Sequence, residues 1–317
     1  MTQTRWSWKE MMAIFFARQI EDGDTLCSGA HTEISFCAAM LAQKSHAPNL
    51  RLQLGGTGYL CNLAGRPVLG GVPKTSVDYR IAQWAEAYFD HPETFFFYGP
   101  PGGGRRYYED RSAFAGHNGY FFADHFFVGG LQVDYHGNVN LIGLGADGAF
   151  TMRGPGSVGI GDVITVRNMF VFMTAHDPRR FVPKVDYIST MGPSGWREKQ
   201  FPGNGPQWIV SPLGVFDFTG EGMTARLRGV FPGHTEDEVA GATGFPVARS
   251  ELFGEIEPPT AEELALLREQ VDVNGVLGGI PGGRPPGLTL GGVTPHGHDR
   301  RGEGRAQPGP GHQALLP

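Results

Sequence analysis

The 317-residue sequence predicts an α/β fold with an open, mostly parallel sheet and helices on both faces. Two observations carry this expectation. From Ser7 to Leu54 the pattern alternates helix, strand, helix, strand, the order from which parallel sheets are wound. Later, Phe126-Phe127-Val128 is apolar without alternation, as befits a strand buried on both faces.

Taken in order, Ser7 and Glu10 have capping-box spacing, and Met11, Ile14, Phe15 and Ile20 can share one apolar stripe, so a helix starts the fold. Asp22-Gly23 stops it, and Thr25 to Ser28 is a short strand. Thr32 caps a second helix carrying Ile34, Ala38, Leu41 and Ala42 at helical spacing. Leu50 to Leu54 is the next strand. Tyr79 to Phe89 predicts a helix with Ile81, Trp84, Ala85 and Tyr88 on one face. Val163 to Met173 has the character of a buried strand. Thr260 and Glu263 form another capping box, ahead of a helix packing Leu264, Leu267 and Val271. After Asn274 glycine, proline and polar residues dominate, too few apolar groups to offset ordering entropy, and a disordered tail over 274–317 is expected.

Composition excludes several classes. A formal charge of -6 leaves no electrostatic footprint for nucleic acid. No apolar run approaches the ~18 residues of a membrane helix. No positive N-terminal region precedes an apolar core, so no signal peptide is expected. Cys27, Cys37 and Cys61 lack metal spacing, as for reduced thiols. A cytoplasmic protein without a bound metal follows as the expectation.

The stretch that organises the chain is Phe126 to Asn140, FFVGGLQVDYHGNVN. A buried strand breaks at Gly129-Gly130, where a ligand or second chain can approach the backbone. Tyr135-His136-Gly137-Asn138 is a turn, with Gly137 and Asn138 suited to positive φ. In α/β sheets ligands sit beyond the carboxyl ends of strands, which singles out Gly29-Ala30-His31-Thr32-Glu33 and Gly55-Gly56-Thr57-Gly58. His31 is suited to general acid–base work, or else is a capping histidine. Glu33 is a catalytic carboxylate, or else a favourable charge in a first helical turn. Gly154 to Gly161 is a second glycine-rich loop, in which Pro155 lacks a donor.

The G-G-x-Q-x-D-x-x-G-N-x-N string resembles the β subunits of family I CoA-transferases, the glutaconate CoA-transferase type. Lys44 to Leu50 is similar to that family's lead-in to its active-site strand. The resemblance implies a CoA-transferase type of fold over residues 7–273, with 95–111 an inserted loop. In the transferases the strand ends in a glutamate that carries CoA as a covalent thioester. Here that position falls on Gly55, which has no nucleophile. The departure resembles the β-like subunits of steroid ring-cleaving hydrolases, whose acid–base carboxylate lies in the partner subunit.

The resemblance implies further that Gly56, Gly129, Gly130, Gln132, Asn138, Asn140, Gly154, Gly156 and Ser157 meet the acyl-CoA, the glycine-rich loop through main-chain amides at the thioester oxygen. It implies an α-like partner in a heterodimer or heterotetramer, and no permanently bound cofactor, coenzyme A entering as part of the substrate. The expected activity is hydrolysis or hydrolytic C–C cleavage of an acyl-CoA. The alternatives are CoA transfer to a carboxylic acid, with Glu33 displaced into the glutamate's role, or a non-catalytic binding subunit. Arg105 and Arg106 are either contacts for CoA phosphates or a solvated pair.

Overall fold

A computed structural model describes residues 6–28, 33–54, 59–62, 85–88, 123–146, 149–157, 160, 166–200 and 203–278. The strands in chain order are β1 Thr25–Ser28, β2 Arg51–Leu54, β3 Tyr59–Cys61, β4 Ala85–Tyr88, β5 Ala123–Gly129, β6 Gln132–Asp134, β7 Val139–Asn140, β8 Gly143–Ala146, β9 Ala149–Arg153, β10 Val166–Phe172, β11 Phe181–Val182, β12 Pro206–Val210, β13 Gly214–Asp217 and β14 Arg226–Val230. The α-helices are α1 Trp8–Ala17, α2 Glu33–Ser45, α3 Pro193–Glu198, α4 Glu236–Ala242 and α5 Ala261–Leu266, the last running on as a wider turn to Val271.

Among the described residues the main sheet has nine strands in the order β14-β13-β12-β10-β5-β1-β2-β3-β4. The central five are parallel, and the two outer pairs are antiparallel. The fold class is therefore the expected α/β one, with an antiparallel margin on each side. A helix over Tyr79–Phe89 is not what forms. Ala85–Tyr88 is an outer strand paired antiparallel with β3, and the rest of that stretch lies outside the described residues. A ladder on a neighbouring strand has overridden a local helical spacing that no cap secured.

Alternation along each central strand divides the core in two. Leu26, Phe127, Phe170, Phe172 and Val210 face α1, α2 and the C-terminal helix, while Cys27, Phe126, Val128, Met169, Val171 and Ile209 face the other way. The second side is covered by the small sheet β11-β6-β7 with the short helices α3 and α4. Phe16 of α1 seats against Phe127 at 4.9 Å edge-to-face and stacks on Phe170 at 5.6 Å. A single stripe was expected for α1, yet every residue from Glu10 to Ala17 is buried. The sheet takes one side of that helix, and α2 with the C-terminal helix takes the rest.

Both predicted capping boxes form, Ser7 with Glu10 and Thr260 with Glu263. Glu10 has a second role. Its carboxylate, 1% exposed, accepts two hydrogen bonds from the Arg268 guanidinium at 2.7 and 2.9 Å. Ser7 also donates its hydroxyl to the Leu277 carbonyl at 2.7 Å, and Asp272 caps the amides of Val276 and Leu277. The packed chain thus runs to Leu277, itself buried, and residues 279–317 lie outside the described residues. No helix among the described residues is long and apolar enough to cross a membrane.

Arg268→Met leaves the Glu10 carboxylate buried without its cation, and a loss on the order of 3 kcal/mol in denaturant unfolding is expected. Glu10→Gln in the same background should recover part of that loss by removing the stranded charge. An unchanged unfolding midpoint for Arg268→Met would show that the pair contributes nothing.

Candidate active site

Strand order locates the site before any side chain does. From β1 the chain moves to β2 on one side, whereas β5, β10 and β12 follow one another on the other side. Loops therefore leave in opposite directions at the boundary between β1 and β5. Such a switch point opens a crevice at the carboxyl ends of the strands. Its walls here follow Ser28 and Gly129, and β2 ends alongside at Leu54. His31, Gly55 and Gly56 follow those strand ends in sequence and lie outside the described residues, as do Arg105 and Arg106. Glu33 is the first residue of α2 at this edge, where its carboxylate pairs with Lys9 of α1 at 3.1 Å.

The glycines at the end of β5 are explained by this chain's own packing. A Cβ on Gly129 would stand 3.1 Å from the Phe172 ring. One on Gly130 would meet Val139 at 3.0 Å and the Met173 sulfur at 3.1 Å. The close approach expected of a ligand or second chain is made instead by β7 and the end of β10.

The amides of the motif are committed in the same way. Asn140 is fully buried; its Nδ2 donates to Gln132 Oε1 at 2.8 Å and to the Gly143 carbonyl at 2.8 Å, and its Oδ1 accepts from the Ile142 amide. Gln132 Oε1 accepts a further bond from the Asp186 amide at 3.0 Å. These two side chains hold β6, β7 and the following loops together.

Asn138 lies in a different part of the structure. Its turn packs on Phe218 and receives a hydrogen bond from the Ala225 amide through the Tyr135 carbonyl. Residues 218–225 join β13 to β14 at the amino end of the parallel strands, so Asn138 stands away from the crevice. Gly137 takes the expected positive φ of 79°, but Asn138 does not. Asn138 instead donates to Asp134 Oδ2 at 3.0 Å and accepts the Gly192 amide at 2.9 Å.

The Gly154–Gly156 segment does lie by the Leu131 end of the crevice, but its donors point inward. The Gly154 amide donates to the Ile142 carbonyl at 2.8 Å, and the Gly156 amide to the Leu141 carbonyl at 3.0 Å. With Pro155 lacking an N–H, none of these three can serve as oxyanion donors while the loop holds this shape. Ser157 donates its hydroxyl to Ser189 Oγ at 2.8 Å, which also accepts the Leu141 amide. Val158, Gly159 and Gly161 lie outside the described residues. Gly156 has φ 90° and open space around it, so a side chain there is strained by backbone conformation and not by collision.

One polar centre at this edge was missed from sequence. His176, three residues beyond Met173, lies between Ser211 Oγ at 2.7 Å and Thr243 Oγ1 at 2.9 Å, and stacks on Phe181 with centroids 3.7 Å apart. Thr243 gives its own hydrogen to the Val239 carbonyl, so it accepts from His176 Nε2–H, and Nδ1 accepts from Ser211. Burial lowers the imidazole to about 4 and keeps it neutral. Its partners are 35 and 67 residues away, which is why no spacing signalled it. At the opposite, amino end of the sheet, Asp24, Asp124 and His125 are buried together, His125 bonding Asp24 at 3.0 Å and Asp124 accepting the Thr25 amide. That group ties β1 to β5 and is remote from the crevice.

No group of three or more His, Cys, Asp or Glu among the described residues is arranged to hold a metal. Burial pushes the Cys27 and Cys37 thiols up, so neither offers a thiolate nucleophile at neutral pH.

Comparison with known proteins follows this geometry. No protein-family model matches the chain. The solved glutaconate coenzyme A-transferase of Acidaminococcus fermentans superposes with a TM-score of 0.71 and 26% identity, covering 88% of this chain and 99% of that one. The class is therefore the CoA-transferase fold. In sequence, the glutaconate CoA-transferase B subunit of the same organism is 27% identical over 274 residues, 85% of this chain and 94% of the relative. The cholesterol ring-cleaving hydrolase IpdB subunit of Rhodococcus jostii is 35% identical over 156 residues, 47% of this chain and 59% of that relative. Over most of its length the chain is similar to the β-like subunits of the family I CoA-transferase superfamily.

Because His176 binds its proton more readily unfolded than folded, stability is complete above pH 6.5 and falls as pH drops toward 4. The expected loss is roughly 3 kcal/mol across that window. Melting curves of wild type and His176→Gln from pH 7.5 to 4.5 should converge as pH falls. A constant gap between them would remove His176 as the cause.

Proposed function

We propose that this chain is the β-like half of a heteromeric enzyme that hydrolyses an acyl-CoA, or cleaves a carbon–carbon bond of its acyl group hydrolytically. The observation that carries this reading is Gln53-Leu54-Gly55-Gly56, in which the strand that should present a glutamate runs instead into glycine. Without a carboxylate there, no glutamyl-CoA thioester forms on this strand. Water takes the nucleophile's place. Its oxygen bonds to the thioester carbonyl carbon, a base receives its proton, the C–S bond breaks, and the thiol leaves protonated. This chain offers His31 and Glu33 as candidate bases, and the α-like partner offers a carboxylate. The likeness to the R. jostii hydrolase subunit supports this reading.

Both relatives are named as subunits, which supports an α-like partner in a heterodimer or heterotetramer. Coenzyme A belongs to the substrate, and no resident cofactor is invoked. CoA transfer between an acyl-CoA and a carboxylic acid is the alternative, favoured by the likeness to the A. fermentans transferase along most of the chain.

The deciding measurement is turnover of acyl-CoA thioesters by the co-purified heteromer, read as thiol release and as the mass of the acyl-CoA product, with and without an added carboxylic acid. Thiol release or a hydrated acyl-CoA product formed independently of acceptor, and no CoA adduct on this chain by mass spectrometry after hydroxylamine or borohydride trapping, is the expected result. Turnover that requires the acceptor, or CoA attached to an Asp or Glu of this chain, would establish a transferase instead.

A further inference from the structure

Helices α1 and α2 lie side by side and run the same way. Lys9 meets Glu33 at one end, and at the other the His46 ring bonds the Ile20 carbonyl at 3.0 Å, just beyond α1. Both helices therefore begin at the carboxyl edge of the sheet, because α2 starts directly after the loop that leaves β1. This places Lys9, a residue in none of the motifs, beside the switch-point crevice. Its ammonium is 3.1 Å from Glu33 Oε1 and 5.7 Å from the centre of the Trp8 ring. The two side chains are 29% and 30% exposed, so solvent reaches them.

The division of labour within the carboxylate is specific. Oε1 is anchored to Lys9, whereas Oε2 has no hydrogen-bond partner among the described residues. One oxygen is fixed and the other remains open, the arrangement that a base needs if it is to hold a steady position and still accept a proton.

We propose that Glu33 is the base this chain contributes to the hydrolytic reaction and that Lys9 is the positioning residue that aims it. The inference rests on the hydrolase reading above and names which of its candidate groups acts. Glu33 Oε2 takes the proton from water as the water oxygen bonds to the thioester carbonyl carbon. The electron pair of the C–S bond leaves with sulfur, and the carboxylic acid of Glu33 returns its proton to the departing thiolate. Atoms and charges balance without any further reactant. Lys9 stays bound to Oε1 throughout and touches no reacting atom.

The test uses the reconstituted heteromer with an acyl-CoA that the wild type turns over. Glu33→Gln should lower kcat by ~10²–10⁴-fold, the range of a general base. Lys9→Met should lower kcat by about 10-fold with KM unchanged, Lys9→Arg should restore it, and the Lys9→Met/Glu33→Gln double variant should be no slower than Glu33→Gln alone, as for residues acting through one another. Melting temperatures of the variants report folding separately from rate. Wild-type kcat in folded Glu33→Gln or Lys9→Met, or independent losses that multiply in the double variant, would overturn the proposal while leaving the hydrolase reading intact. A wild-type heteromer that, without an acceptor, neither releases thiol nor cleaves a carbon–carbon bond of the acyl group would overturn both.

Discussion

Strand β5 must be buried on both faces, and much of the described architecture follows from that requirement. It is paired in parallel with β1 on one side and β10 on the other, so every backbone donor and acceptor in its middle is satisfied within the sheet. From Ala123 to Val128 no residue is more than 7% exposed. One face therefore needs a layer thick enough to cover Phe127, which α1 supplies through Phe16, and the other needs a second layer over Phe126 and Val128. The same strand fixes the reversal of winding between β1 and β5. The core and the crevice are in this sense consequences of a single buried strand.

The second layer is small, and it is held by polar groups because it has little apolar surface to offer. β6 and β7 are only three and two residues long. Their stability comes from side chains that replace missing backbone partners: Asp134 receives the amides of His136 and Asn138, and Gln132 with Asn140 ties in Asp186, Ile142 and Gly143. Each such bond is modest in net terms, but leaving a buried amide unpaired costs more than making the bond gains. That asymmetry is a physical reason for an amide-rich motif even where its amides touch no ligand. The motif positions the loop at the mouth of the crevice, and the loop's own amides are spent in holding it there.

Kinship and chemistry separate cleanly in this chain. Likeness to the glutaconate CoA-transferase fold extends across most of its length. After β2, at the position where the resemblance places the transferases' glutamate, the sequence carries Gly55.

The sequence by itself determined the class of fold, the capped helix starts at Ser7 and Thr260, the buried central strand and the positive φ at Gly137. Each depends on residues close together in the chain, through hydrogen bonds three or four residues apart or through the period of apolar side chains. It also shows glycine at position 55, a reading that needs only a residue type at a counted position. Tertiary structure decided the rest. Ala85–Tyr88 became a strand because β3 offered it a ladder, and Asn138 moved to the far end of the sheet because β6 runs back down it. His176 became a locked neutral imidazole through partners on β12's turn and beyond α4, and Lys9 reached Glu33 only because two helices 24 residues apart at that contact start side by side. None of these pairings leaves a periodic trace in sequence, since contact across layers is set by how whole elements pack and not by the spacing of the residues that meet.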